Sequence, residues 1–148
     1  MTPSAPANVH FMSNTDLWET PQDLFDFLDS EFHFELDVCA IPENAKCERF
    51  FSPVEDGLLQ GWNGTCWMNP PYGRQISKWV QKAYESSLAG ATVVCLVPSR
   101  TDTQWFHRFV LDTGAEIRFL NHRLTFVGAP DRAPFPSAVG IFRPKNSA

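Results

Sequence analysis

The sequence lacks the features by which secreted, membrane or metal-binding proteins are recognised. Its first ten residues, MTPSAPANVH, contain neither a basic nor an apolar segment, so they predict no secretory signal. The longest apolar stretch, around residues 93–97, is far too short to cross a bilayer. The four cysteines are spaced too widely for a CxxC metal-binding motif. These absences predict a reduced, cytoplasmic protein with no membrane partner and no metal site.

Basic residues are scarce in the first part of the chain. Residues 1–60 hold twelve acidic residues and two basic ones, Lys46 and Arg49, whereas residues 61–148 hold ten basic and five acidic residues. The formal net charge of −5 therefore combines a half at −10 with a half at +5, an asymmetry typical of proteins with an anionic partner. With 43% hydrophobic and 20% charged residues in 148, the chain is excluded from the disordered class, and one domain is expected.

Alternating helix and strand patterns predict an α/β domain over residues 15–145, after a flexible N-terminus of residues 1–14. The first helix is expected to begin with Thr20 as its N-cap and Pro21 at its first position. A second begins at Ile76 and has Leu88 on its buried face, and a third lies within 101–114. Strands are predicted at 34–40, 65–68, 92–97, 116–120, 124–127 and 138–143. We expect a mostly parallel sheet with helices on both faces and an antiparallel hairpin formed by the last strands.

Asn69-Pro70-Pro71-Tyr72 is the most informative short motif. It follows the predicted strand 65–68, where open α/β sheets bind ligands. The prolines stiffen the chain, so that the Asn69 side-chain oxygen and the Pro70 carbonyl can accept both hydrogens of an exocyclic amine, and the Tyr72 ring can stack on a base. The lone pair of an adenine N6 is delocalised into the ring, and two such acceptors would localise it toward a methyl donor. The alternative is a tight strand-to-helix turn with a packed tyrosine.

Two residues of the acidic half fit the methyl donor S-adenosylmethionine. Asp37, at the end of the strand predicted at 34–40, is placed to meet the cationic part of that cofactor. Thr20, at a helix N-terminus, offers a hydroxyl and free backbone N–H groups to the cofactor carboxylate. The structural alternatives are a simple helix cap for Thr20 and a solvated strand end for Asp37.

These motifs, taken in order, resemble the phage-encoded DNA N6-adenine methyltransferase (Dam-like) family. The resemblance rests on Trp18-x-Thr20-Pro21, Leu36-Asp37-Val38-Cys39-Ala40, Glu55-Asp56-Gly57-Leu58 and Asn69-Pro70-Pro71-Tyr72. It implies a single Rossmann-like S-adenosylmethionine-dependent domain that acts in a bacterial host cytoplasm, without a separate target-recognition domain. It also implies that the cofactor is bound by Trp18, Thr20, Pro21, Asp37, Cys39, Ala40 and Asp56, the last at the cofactor's adenine amine. The target adenine would be bound by Asn69, Pro70, Pro71 and Tyr72. The chain departs from such enzymes in lacking a glycine-rich loop after the first strand.

The DNA partner is expected to meet the basic half of the chain. The target base must be flipped out of a duplex or be single-stranded, because a stacked base cannot enter such a site. Candidate phosphate or base contacts are Arg74, Lys78, Arg100, Arg118, Arg123 and Arg132. Two other functions stay open: methylation of an amine on RNA or on a protein glutamine, and a non-catalytic DNA-binding decoy that keeps the fold. The oligomeric state, monomer or homodimer, also stays open.

Overall fold

Five strands form one sheet in the computed structural model, which describes residues 17–145. In chain order the strands are β1 (Leu36–Asp37), β2 (Thr65–Met68), β3 (Thr92–Pro98), β4 (Glu116–Phe119) and β5 (Ser137–Phe142). Their order across the sheet is β1-β2-β3-β5-β4. The pairs β1–β2 and β2–β3 are parallel, and β5 is antiparallel to both β3 and β4.

The α/β class and the antiparallel pair at one edge of the sheet are therefore confirmed. The expected mostly parallel sheet is a mixed one, because two of its four pairings are antiparallel. Strand β5 lies between β3 and β4, and it runs in the direction opposite to that of the other four strands. The expected flexible N-terminus, residues 1–14, lies outside the described residues.

Strand β3 occupies the middle of the sheet and of the core. Every side chain from Val93 to Val97 is at most 1% exposed. Its neighbours are β2 on one side and β5 on the other, with β5 paired over six residues. A run of β-branched and apolar residues without a polar face is what such a doubly covered strand requires. The prediction of a buried central strand is confirmed.

Two α-helices, α1 (Gln22–Phe32) and α2 (Ile76–Leu88), and a π-helix (Phe106–Leu111) pack around the sheet. Helix α1 buries Phe25, whose ring meets that of Trp67 in β2 at 5.5 Å between centroids. Helix α2 buries Ile76, Trp79, Val80 and Ala83. Leu88 is 53% exposed because it is the last residue of α2, so its predicted place on the buried face is wrong. No helix in residues 17–145 is long and apolar enough to cross a membrane.

The helix expected within 101–114 is mainly a π-helix. The N–H groups of Asp112 and Ala115 donate to the carbonyls of His107 and Val110, which are five residues back instead of four. The apolar spacing of the sequence is compatible with both helix types, and the backbone hydrogen bonds distinguish them.

Residues 124–127, predicted as a strand, are irregular. Leu124 and Phe126 are buried and the residues that follow each of them are exposed, which imitates the alternation of a strand. The N–H of Val127 donates to the Glu19 carbonyl at 3.1 Å, so this segment is attached to the chain that precedes α1. That long-range contact replaces the expected strand pairing.

Candidate cofactor and substrate site

A cavity of about 1030 Å³ lies beside the residues that follow β1 and β2. Its walls come mainly from residues 17–20, 37–46, 51–58 and 67–75. Open α/β sheets bind ligands outside the carboxyl ends of their strands, and this volume is at the upper end of the range for small-molecule sites. The cavity gathers nine of the eleven predicted cofactor and target residues: Trp18, Thr20, Asp37, Cys39, Ala40, Asp56, Asn69, Pro70 and Pro71. Pro21 and Tyr72 are not part of its lining.

Asp37 is a buried acid at the end of β1, with only 2% of its surface exposed. Its Oδ1 accepts the N–H of Cys39 at 3.2 Å, and its Oδ2 accepts the N–H of Lys46 at 3.0 Å. Burial raises the pKa of this carboxyl to about 6, and the two backbone hydrogen bonds oppose that rise. The alternative of a solvated strand end is therefore wrong. Above pH 6 the group is a buried negative charge in the cavity wall.

The chain after Asp37 folds back along β1 in place of a glycine-rich loop. The N–H of Asp37 donates to the Arg49 carbonyl at 3.0 Å, and the N–H of Phe51 returns to the Asp37 carbonyl at 2.9 Å. A third bond joins the N–H of Ala40 to the Phe51 carbonyl at 3.0 Å. These bonds cover the outer edge of β1. The loop therefore acquires a defined shape without glycine, and the Asp37 carboxylate helps to hold it through its hydrogen bonds to the N–H groups of Cys39 and Lys46.

Lys46 also lies in the cavity wall, although no motif of the sequence pointed to it. Its side chain is only 6% exposed, and its Nζ donates to Oε1 of Gln22, the first residue of α1, at 2.8 Å. Oε2 of Glu19 lies 3.9 Å from the same Nζ. The cavity thus contains a buried cation beside its acids. The available signal was that Lys46 is one of two basic residues among the first sixty.

Asp56 reaches the cavity from a short 3-10 helix, Gly57–Leu59, whose N-cap it forms. Its Oδ1 accepts the N–H of Leu58 at 3.1 Å, and its backbone adopts a left-handed φ of 59°. The next residue must be glycine, because a Cβ at Gly57 would lie 2.2 Å from the carbonyl oxygen of Val38 and 3.0 Å from the Trp79 ring. Close backbone packing therefore sets the position of Asp56.

Asn69 is anchored by its amide nitrogen. Nδ2 donates to the backbone carbonyl of Trp18 and, at 2.9 Å, to Oγ1 of Thr20. A carbonyl oxygen only accepts, so the nitrogen of the amide must face residue 18. Oδ1 is buried and has no hydrogen-bond partner within residues 17–145. A buried acceptor without a partner is uncommon, and here it belongs to a residue that lines the cavity.

Thr20 does not cap α1, contrary to the prediction. Pro21 is the N-cap, one residue later than expected, and no side chain caps the helix. The Thr20 hydroxyl accepts from Asn69 instead, and the residue is only 2% exposed. Local sequence favours a Thr-Pro helix start, but a residue 49 positions away determines how the hydroxyl is used.

Tyr72 lies in the core, 4% exposed, with its hydroxyl donating to the Leu96 carbonyl at 3.1 Å. Its ring contacts Phe135 and Phe126, at 5.6 and 6.5 Å between centroids. Trp18 completes this aromatic cluster, at 5.2 Å from both phenylalanine rings. The packed tyrosine that was the structural alternative is thus present in this conformation. A base could stack on Tyr72 only if the cluster rearranged.

The predicted DNA contacts differ in their surroundings. Arg74 is exposed and lines the cavity. Arg100 is exposed and lies over the Phe135 ring, 5.8 Å from its centroid. Arg118 is already engaged, since it donates to both carboxylate oxygens of Glu31, at 2.7 and 2.8 Å, and to Glu116 at 2.8 Å. The other three predicted contacts are exposed: Lys78, Arg123 and Arg132.

The fold and the cavity define an α/β protein with a large cavity at the ends of adjacent parallel strands, and its lining includes a buried acid and an asparagine whose amide oxygen has no partner within residues 17–145. Residues 9–138 match the family model described as DNA N-6-adenine-methyltransferase (Dam). The chain is 32% identical, over 141 residues, to the DNA N-6-adenine-methyltransferase of Haemophilus phage HP1 (strain HP1c1), covering 90% of this chain and 82% of the phage protein. It is 34% identical, over 113 residues, to that of Escherichia phage T1, covering 74% of this chain and 47% of that protein.

The chain therefore belongs to the DNA N-6-adenine-methyltransferase (Dam) family. The resemblance noted from the ordered motifs is confirmed, including its phage origin among relatives.

Proposed function

We propose that this protein transfers the methyl group of S-adenosylmethionine to the N6 amine of adenine in DNA. The observation that carries the proposal is the buried Asn69 Oδ1, which has no partner within residues 17–145 and belongs to a residue that lines the large cavity. An exocyclic amine would supply the missing donor. Family membership supports the same reaction and the same substrate.

The chemical task of the site is to make a weak nucleophile attack. Asn69 Oδ1 and the Pro70 carbonyl would accept the two N6 hydrogens, drawing the amine toward tetrahedral geometry so that its lone pair leaves the ring system. Both acceptors are neutral and fixed, so they act by preorganisation at the point where charge develops. The surplus proton leaves after methyl transfer, and the amine therefore needs no strong base beforehand.

The cavity fits S-adenosylmethionine in its charge pattern. When bound, this cofactor supplies an electrophilic methyl group on a sulfonium. The Asp37 carboxylate, ionised above pH 6, would hold the cationic methionine end, and Asp56 would hold the adenine amine. Trp18, Cys39 and Ala40 would complete the walls, and Pro21 would fix the start of α1, whose N-cap it is. The cofactor carboxylate would be met by Lys46 Nζ and by the Thr20 hydroxyl, which keeps its own hydrogen while accepting from Asn69.

The DNA strand would approach from the exposed basic residues, Arg74, Lys78, Arg100, Arg123 and Arg132. Base flipping costs a few kcal/mol, which phosphate contacts and contacts in the pocket must offset. Since Tyr72 is packed, we propose that opening of its aromatic cluster accompanies entry of the adenine. We further propose that the sheet is a Rossmann-like methyltransferase sheet with helices on both faces, and that the enzyme acts in the host cytoplasm.

The test is methyl transfer from labelled S-adenosylmethionine to DNA, RNA and protein offered in competition. We expect label in DNA as N6-methyladenine. The Asn69→Ala variant should lose transfer and keep cofactor binding by calorimetry, and Asp37→Ala should lose cofactor binding. Asn63→Ala, at an exposed asparagine outside the cavity, is the matched control.

Other results would assign another function. Preferential label in RNA or in glutamine would make DNA the wrong substrate. Absence of cofactor binding at millimolar concentration, with DNA binding kept, would identify a decoy. Robust methylation by Asn69→Ala would remove the mechanism.

A further inference from the structure

We propose that Thr20 is a positioning residue that holds the Asn69 amide with its oxygen toward the target. This inference rests on the proposed function, because it concerns the substrate side of that site. The predicted role of Thr20 was toward the cofactor, and neither the motif nor its spacing pointed to Asn69, 49 residues further along the chain.

The geometry decides which end of the amide is free. Both hydrogens of Nδ2 are used by the segment before α1, one by the Trp18 carbonyl and one by Thr20 Oγ1. Oδ1 is left as the only polar atom of the Asn69 side chain without a partner within residues 17–145. A rotated amide would present its NH₂ group to the amine of the adenine, donor against donor, and could not hold it.

Thr20 is the side chain in this arrangement that substitution can remove, since Trp18 contributes only a backbone carbonyl. The residue is 2% exposed, so bulk water does not replace the hydroxyl in its bond to Nδ2. Thr20→Val keeps the shape and deletes the acceptor, which leaves one buried N–H of Nδ2 unpaired and the Trp18 carbonyl as the remaining restraint on the orientation of the amide. Thr20→Ser restores the acceptor.

The experiment observes the Asn69 amide directly. In ¹⁵N-labelled protein without cofactor, the Asn69 side-chain NH₂ signals are identified by their absence in Asn69→Ala. We expect both protons to be protected from exchange, and Thr20→Val to shift and expose one of them while Thr20→Ser does not. At saturating cofactor and DNA, the single-turnover rate should fall about tenfold in Thr20→Val and recover in Thr20→Ser. Adding Thr20→Val to Asn69→Ala should cause no further loss.

Three results would overturn the proposal. The first is that the Asn69 signals are unaltered in Thr20→Val. The second is that Thr20→Val lowers the rate equally in the wild-type and Asn69→Ala backgrounds. The third is that affinity for S-adenosylhomocysteine falls while the Asn69 signals stay in place, which would assign the hydroxyl to the cofactor alone. If the wild-type protein transferred no methyl group, the proposed function would fail, yet the amide signals would still decide the role of Thr20. Circular dichroism shows whether each variant is folded.

Discussion

Replacing Asp37 by asparagine removes a buried titratable carboxyl group from the cavity wall, and its effect on stability depends on pH in a defined direction. The pKa of Asp37 is raised by burial from 3.8 to about 6, so the folded protein binds this proton more tightly than the unfolded chain does. Its contribution to stability is therefore complete below pH 3.8 and is lost as the pH rises through 6.

The size of this effect follows from the shift. At 1.36 kcal/mol for each pKa unit, the rise from 3.8 to about 6 corresponds to about 3 kcal/mol in total. About 2 kcal/mol of it falls between pH 4.5 and pH 7.5. The asparagine variant loses one acceptor for the N–H groups of Cys39 and Lys46, but that loss does not change with pH.

Urea unfolding of both proteins across pH 4.5–7.5 measures this term. We expect the difference in unfolding free energy to move by about 2 kcal/mol in favour of Asp37→Asn as the pH rises, because the other titrating groups cancel in the difference. The wild type should also bind S-adenosylhomocysteine more weakly below pH 6, by about tenfold for each unit. A difference that is flat with pH, or one of opposite slope, would refute the reasoning.

Three further predictions concern packing and charge. Gly57→Ala should lose about 2 kcal/mol of unfolding free energy in urea, because its Cβ would lie 2.2 Å from a backbone oxygen. The control Gly61→Ala, whose Cβ would enter open space, should change the unfolding free energy by less than about 1 kcal/mol. Equal effects of the two substitutions would contradict the close packing at Gly57. Arg118→Ala should lower the melting temperature, since Arg118 is engaged by two glutamates. In filter binding it should change DNA affinity less than Arg74→Ala does. The reverse order of DNA affinities would place Arg118 on the DNA. Tyr72→Phe should lose about 1 kcal/mol of unfolding free energy, because its hydroxyl is buried and bonded; an unchanged value would show that this bond contributes nothing.

Features encoded in short stretches were predicted well from the sequence. The run at 92–97 has no polar face, and it forms the buried middle strand. Strand β2 ends at Met68, and the Asn-Pro-Pro-Tyr motif that follows it therefore begins beside the cavity. Asp37 was found for the same reason, as an acid at the end of an apolar run. Each of these predictions needs only neighbouring residues.

Features that depend on distant partners were missed. The use of the Thr20 hydroxyl is determined by Asn69, and that of Lys46 by its contact with Gln22. Arg118 has the same charge as Arg74, but it is paired with Glu31, 87 residues before it, a contact that neighbouring residues do not predict. The alternation at 124–127 is identical for a strand and for a loop that packs two side chains inward. The pattern of neighbouring residues carries no information on which distant residue a side chain contacts in the folded protein.

Asn69 Oδ1, which has no partner within residues 17–145, is the central feature of the proposed methyl transfer. The most direct measurement is the amount of N6-methyladenine in DNA after incubation with S-adenosylmethionine, for the wild type and for Asn69→Ala, by mass spectrometry of nucleosides. We predict N6-methyladenine with the wild type and its loss in Asn69→Ala, with cofactor affinity retained. N6-methyladenine at wild-type levels in Asn69→Ala, or methyl groups only on another base, would contradict the account.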